Sequence, residues 1–231
     1  LLSINSTKNI HFVFMKNLFK GDLGYSLRYK GRTVNEIVVD AFPNSAELGI
    51  RALIFAVIAG LMLGIIAALN QNKFWDKISM LVAIIGISVP SFIVGALLQY
   101  FFAVKLGWLP AAQWKGFAYT IMPSFALGLS TLALIARLMR ASMLEVVNQD
   151  YVKTAKAKGL SPMQITWKYQ IRNAILPVVT ILGPTVAYLT TGTFVVEQIF
   201  AIPGLGRHYV ISIQNLDYSL TLGLTIFFGS F

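Results

Sequence analysis

The chain of 231 residues contains no cysteine, which excludes a disulfide framework and any cysteine-ligated metal site. Charge is scarce as well. Only 12% of residues are Asp, Glu, Lys or Arg, where soluble domains carry roughly a quarter. Histidine occurs twice, at His11 and His208, far apart and outside any His-Glu-x-x-His pattern, so no metal site is expected. A Gly-x-x-x-x-Gly-Lys-Ser/Thr phosphate loop is missing from the sequence, and a chain that used ATP would have to have it hydrolysed elsewhere. No paired carboxylates or nucleophile triad are legible, which argues against an enzyme. Residues 1–9 are short and mixed, without the basic stretch of a secretory leader.

What is present is apolar. Hydrophobic residues make up 56% of the chain, and the mean hydropathy is +0.69. The composition is that of an all-α polytopic membrane protein, for which the bilayer is solvent. A net charge of +10 invites a nucleic-acid partner. The basic residues, however, cluster in the gaps between apolar runs, as they do when charge fixes membrane orientation. A lipid membrane is therefore expected and nucleic acid is not.

Residues 1–47 read as an extracytoplasmic N-terminal region. It holds six basic residues (Lys8, Lys16, Lys20, Arg28, Lys30, Arg32) and four acids (Asp22, Glu36, Asp40, Glu47). Phe12, Phe14, Leu18 and Phe19 form one apolar face of a short helix, and residues 21–24 read as a turn. Residues 33–40 predict a helix halted before Pro43. Residues 48–231 then form a transmembrane domain of five apolar segments. Residues 48–69 are long enough to cross a hydrocarbon core of roughly 30 Å. Their Gly60 and Gly64 suit either close helix packing or a glycine merely tolerated in lipid. Residues 78–104 carry a kink at Ser88-Val89-Pro90-Ser91. Residues 117–139, with Pro123, and 174–196, with Pro177 and Pro184, are the third and fourth. Residues 220–231 cover only about 18 Å at helical rise, and the last span is expected to be truncated.

Residues 137–172 carry seven basic residues against two acids, which places this loop in the cytoplasm. Alternation then puts residues 70–77 inside, and residues 1–47, 105–116 and 198–219 outside. Within the loop, Asp150 is expected to cap a helix over 151–158, with Gly159 at its C-terminal position. Val152 and Ala155 share one side, and Lys153, Lys156 and Lys158 project elsewhere. Ser161-Pro162 begins a second helix. From the residues alone, a docking element and an ordinary topology-setting loop are both open.

The segment Tyr151-Val152-Lys153-Thr154-Ala155-Lys156-Ala157-Lys158-Gly159-Leu160, followed by Arg172-Asn173-Ala174-Ile175-Leu176-Pro177, resembles the EAA loop of ABC importer permeases, in the form found in the peptide (OppB/DppB) branch. Lys153-Thr154-Ala155 stands where the wider family has Glu-Ala-Ala. Similar matches occur at Gly21-Asp22-Leu23-Gly24-Tyr25-Ser26, at Phe42-Pro43-Asn44-Ser45-Ala46-Glu47, at Arg137-Leu138-Met139-Arg140, and at Glu197-Gln198-Ile199-Phe200 with Pro203-Gly204-Leu205-Gly206. Tyr29-Lys30 with Thr33-Val34-Asn35-Glu36-Ile37 leans toward the oligopeptide members.

The resemblance implies an ABC type I importer permease fold of six spans, the first missing and the last truncated here, in a bacterial inner membrane. It implies a second homologous permease (OppC/DppC-like), two ATPase subunits that hold ATP and Mg, and an extracytoplasmic peptide-binding protein, with no cofactor in this chain. The coupling loop would be residues 140–173, with Lys153, Thr154, Ala155, Lys156, Ala157, Lys158 and Gly159 meeting the ATPase and the small residues allowing close docking. Ser88, Ser91, Gln99, Tyr188, Thr191, Glu197 and Asp217 are the expected pathway residues, together with Ser124, Ser130, Thr131, Thr190 and Thr193. Glu197 reads equally as a solvated edge residue, and Asp217 also reads as a helix cap. A permease for dipeptides, nickel chelates or glutathione, and an ATPase-independent channel or scaffold, are the alternatives.

Overall fold

The computed structural model describes residues 17–230. Phe12 and Phe14 of the expected N-terminal helix, Lys8, Lys16 and His11 lie outside the described residues. The first long element is a helix, α1, Val34–Leu69, 36 residues long. It does not halt before Pro43 and does not begin at 48, so the expected boundary at residue 47 falls inside a continuous helix. A capping box at Thr33 starts it, with the Thr33 side chain accepting from the Glu36 N–H and the Glu36 side chain accepting from the Thr33 N–H. Proline in a helix interior costs one hydrogen bond and a clash. Packing offsets that cost: Val34, Ile37, Val38 and Ala41 are buried in one cluster with Leu205, Leu220 and Leu224.

After a turn, α2 (Phe74–Ser88) and α3 (Ser91–Leu98, continued as a π-helix over Gln99–Lys105) follow. Their axes bend by 104°, a break rather than the expected kink. Val89 is extended, at φ −94° and ψ 120°, as a residue before proline is pushed to be. α4, Ala118–Val146, is longer than the expected 117–139 and contains Arg137 and Arg140, so the loop beyond it is shorter than 140–173. Two short helices follow, α5 (Asp150–Ala157) and α6 (Pro162–Ile165). The chain continues through a π-helical stretch, Thr166–Ile171, and Arg172–Ala174 into α7, Leu176–Thr190. Then come α8 (Phe194–Ile199), α9 (Leu205–Gln214) and α10 (Tyr218–Ser230).

Among the described residues, three helical stretches are long and apolar enough to cross a membrane: α1, α4 and the Leu176–Ile199 stretch formed by α7 and α8; the bent α2–α3 pair makes up to a fourth. α1 and α4 form the central pair and run parallel. A Cβ added at Gly60 would sit 2.8 Å from the Leu132 carbonyl oxygen, and one at Gly64 2.7 Å from that of Ala136. Gly60 and Gly64 are therefore close-packing residues, which decides between the two readings of the pair. α2 runs antiparallel to α4, with Gly86 against Leu129 and Ala133. The C-terminal half of α4 packs through Met139 and Met143 against Ala174 and, at the start of α7, Val178. As a result residues 69–77 and 140–174 share one end of the bundle, and 43–49, 117–124 and 189–206 share the other.

Candidate functional site

The coupling segment sits at the end of α4. Its first helix, α5, begins at Asp150 and not after it: Gln149 holds the cap position and makes no side-chain cap bond. Asp150 lies in the first turn, where a carboxylate faces the positive helix end, and it pairs with Lys153 at 2.8 Å. Gly159 takes the expected left-handed conformation, at φ +72°, and directs the chain back on itself. Ser161 then caps α6 in a second capping box, its hydroxyl accepting from the Gln164 N–H at 3.3 Å while the Gln164 side chain accepts from the Ser161 N–H at 3.1 Å. The role of Gln164 was readable in the Ser-x-x-Gln spacing.

Val152, Ala155 and Ile165 are buried against one another, with Val146 of α4 and with Leu160 and Tyr169. Ala155 is 2% exposed, so it does not offer the close-docking face expected of it; its small side chain lets α5 seat on its own second helix. The outward face is instead Tyr151, Lys153, Thr154, Lys156, Ala157 and Lys158, all exposed, beside exposed Met163 and Trp167. This surface is basic with apolar patches, on a pair of short helices joined to α4 at one end and through residues 166–174 to α7 at the other.

The expected pathway residues do not share one site. Ser130, Thr131 and Tyr188 come together with Thr185, Pro184 and Ile87 around a groove of about 470 Å³ between α2, α4 and α7. Tyr188 is 73% exposed. Ser88 and Ser91 flank the α2–α3 break. Thr191 donates to the Tyr188 carbonyl at 3.2 Å, and Thr190 is buried, donating to that of Val186 at 2.8 Å. Gln99 is engaged in stitching, its amide donating to the carbonyls of Ala111 and Ile199 at 2.7 and 3.1 Å. Ser124 is buried on a different face, lining a groove with Ile50, Arg51, Ile54 and Phe125.

Glu197 and Asp217 are both buried: Glu197 fits neither of its expected roles, whereas Asp217 takes the expected role of helix cap and not that of a pathway residue. Glu197 is fully buried, neither solvated nor facing a passage. One carboxylate oxygen accepts from the Ser45 hydroxyl at 2.9 Å and the Thr193 N–H at 3.0 Å, and the other from the Arg207 N–H at 3.0 Å. Ser45 in turn accepts from the Leu205 N–H at 2.8 Å. A Cβ at Gly204 would lie 2.4 Å from a Glu197 oxygen, so glycine there is required by the carboxylate itself. This knot ties the hairpin between α8 and α9 to α1. Asp217 caps α10 through the Leu220 N–H at 3.1 Å and also accepts from the Ser26 hydroxyl and the N–H groups of Leu27 and Arg28. Burial pushes its carboxyl up, but those hydrogen bonds together hold it below the usual carboxylate range.

One buried charge pair had no counterpart in the sequence reading. Arg140 of α4 donates twice to Asp76 of α2, at 2.6 and 2.8 Å, and the Asn72 N–H adds a third bond at 2.8 Å. The Asp76 side chain is 5% exposed and that of Arg140 25%.

Comparison with known proteins places this architecture. Residues 60–231 match the family model described as "Binding-protein-dependent transport system inner membrane component". The chain is 47% identical over 219 residues to the dipeptide transport system permease protein DppB of Bacillus subtilis, covering 95% of this chain and 71% of that protein. It is 46% identical to the oligopeptide transport system permease protein OppB of Haemophilus influenzae, covering 95% and 72%. Among solved structures, an amino acid ABC transporter with histidines superposes at a TM-score of 0.66 with 16% identity, over 85% of this chain and 87% of that one. The MetNI methionine ABC transporter superposes at 0.63 with 18% identity, over 83% and 89%. At such identity these two speak for the fold, a type I importer permease.

Proposed function

The chain belongs to the family of binding-protein-dependent transport system inner membrane components, as a multi-pass bacterial inner-membrane permease of the OppB/DppB type, and on that premise we propose that it is a pathway-forming subunit of an ATP-driven importer for oligopeptides. In this reading a second permease completes the passage and two ATPase subunits, holding ATP and Mg, supply the energy. An extracytoplasmic binding protein delivers the peptide. The chain receives the stroke through Asp150–Ala157 and the helix that follows.

The supporting observation is the construction of the coupling unit. It is rigid where it meets the permease, through Val152, Ala155 and Ile165, and exposed where a partner would meet it, through Tyr151, three lysines and Trp167. A conformational bias passes between two proteins only if the partner binds two states differently, and a short capped helix held on a buried apolar contact can carry such a bias. The groove at Ser130, Thr131, Thr185 and Tyr188 offers neutral hydroxyls. These suit peptides handled through the backbone and not through side-chain charge.

The test is binding-protein-stimulated ATP hydrolysis by the assembled complex. Gly159→Pro, which cannot reach φ +72°, is expected to abolish peptide uptake while the protein stays in the membrane. Ala155→Trp, which would force α5 off Ile165, is expected to do the same. Wild-type uptake in both variants would refute the coupling role, and no stimulated hydrolysis in the wild-type complex would refute the importer. Dipeptides are the second reading, favoured by the 47% identity to a dipeptide permease; competition of uptake by peptides of two to six residues separates the two.

A further inference from the structure

Asp76–Arg140 is a two-pronged ion pair between α2 and α4, buried at its carboxylate and partly exposed at its guanidinium. α2 also packs along α4 at Gly86, where a Cβ would lie 3.0 Å from the Leu129 carbonyl oxygen and the Ala133 side chain, so the two helices are held together at a second place as well. Burying a pair of charges carries a desolvation cost that its mutual attraction often only balances. Such a pair contributes more to fixing geometry than to net stability.

The position is informative. Arg140 lies on the last turns of α4, six residues before Val146, which packs against Val152 and Ile165 of the coupling unit. Asp76 lies in the first turn of α2, at the same end of the bundle, and its second oxygen also holds the Asn72 N–H at 2.8 Å. Asn72 has φ +61°, a left-handed conformation that orients this N–H toward the carboxylate. One carboxylate therefore fixes the α1–α2 turn, the inner end of α2 and the inner end of α4. At the far end of α2 lies the 104° break, flanked by Ser88 and Ser91, and beyond it α3 packs through Gly95 against Phe200, near the Glu197 knot.

We propose that Asp76 and Arg140 are positioning residues for transport, a strut that makes α2 move with α4 when the coupling unit is displaced and so carries the motion to the broken helix. The inference deepens the function proposed above and rests on it. With the strut intact, α5, α4 and α2 shift as one body. Without it, α4 responds to the ATPases while the inner end of α2 lags.

These 231 residues contain no cysteine, so once any cysteine elsewhere in the permease is replaced by serine the labels are site-specific. In the full-length permease assembled with cysteine-free partners, spin labels at Lys77→Cys on α2 and Glu145→Cys on α4 report the strut distance, both sites being exposed. The expected result is one distance, the same without nucleotide and in the ATP-bound complex. Asp76→Asn is expected to split it into two on ATP binding, and to lower peptide uptake per ATP hydrolysed at least fivefold while hydrolysis stays within twofold of wild type. Arg140→Lys keeps the charge without the fork and is expected to recover at least half of that loss. It also decides the matter by the same two readouts should Asp76→Asn not reach the membrane. A single unchanged distance in the variants overturns the proposal, as does a loss of uptake and hydrolysis in equal proportion, which is the mark of a folding contact. A wild-type complex that hydrolyses ATP without uptake would refute the importer reading instead, and the distance measurement would still decide the strut.

Discussion

Replacing Glu197 by Gln should destabilise the outer half of the permease although it changes one atom and removes no volume. The carboxylate of Glu197 receives only donors: the Ser45 hydroxyl and the Thr193 N–H on one oxygen, the Arg207 N–H on the other. Glutamine's better orientation keeps its oxygen toward Ser45 and Thr193 and sets its NH₂ against the Arg207 N–H, two donors about 3.0 Å apart. That loses one hydrogen bond to a charged group, worth about 1.5–3 kcal/mol, and leaves a donor unpaired at a further cost of about 1–3 kcal/mol. A total near 3 kcal/mol follows, taking the lower half of each range because Arg207 is only partly buried. Ser45→Ala removes the hydroxyl that bridges Glu197 and the Leu205 N–H and should cost about 2 kcal/mol. Equilibrium unfolding in mixed micelles gives both values and the double variant. Residues in one hydrogen-bond network couple by about 0.5–3 kcal/mol, so the double variant should be measurably non-additive. Hydrogen exchange should quicken in residues 200–206 and stay unchanged in α5. A Glu197→Gln change under about 1 kcal/mol, or strict additivity with Ser45→Ala, would refute the reasoning, because it would mean the knot is not what holds the hairpin on α1.

Gly60→Leu should force α1 and α4 apart, since even a Cβ there would lie 2.9 Å from that of Ile135. A loss of about 1–3 kcal/mol is expected from overpacking, read as a lower melting temperature, while Gly183→Ala inside α7, with nothing within 4 Å, should hold or slightly raise it. Asp217 should give stability a dependence on acid pH, because its carboxyl is held below the ordinary value of 3.8 in the folded protein. A depressed folded pKa contributes stability that is fully present above the unfolded pKa and is lost as pH falls through the folded one. Asp217→Asn should therefore flatten the wild-type decline in melting temperature below about pH 4, and an undiminished decline in the variant would sink this account.

The features legible in the sequence were those whose cause is local. Apolar runs announced the spans, Gly159 its left-handed turn, Ser161-Pro162 the second helix of the coupling unit, and Val-Pro at 89–90 a change of direction. Each depends on neighbours within a few residues. Where the reading failed, the deciding partner lay far along the chain. Pro43 does interrupt backbone hydrogen bonding, yet the helix continues through it, its first turns packed on Leu205, Leu220 and Leu224. Ala155 was rightly seen as small, but what its smallness admits is Ile165 of the same chain.

The carboxylates show the limit most clearly. In a chain this poor in charge, an acid within or beside an apolar helix must be satisfied by something, and composition says only that a partner exists. Asp76 finds Arg140, 64 positions away, Glu197 finds Ser45, 152 away, and Asp217 finds Ser26, 191 away. All three join segments that local rules place independently, and none of them lines the groove at Tyr188. In this permease these three carboxylates thus hold distant segments in register, and the groove at Tyr188 is lined by hydroxyls and apolar side chains. Under the proposed function, such a lining suits cargo whose own side-chain charges vary: a fixed buried charge on the wall would favour some peptides and oppose others, whereas the hydroxyls of Ser130 and Tyr188 are neutral.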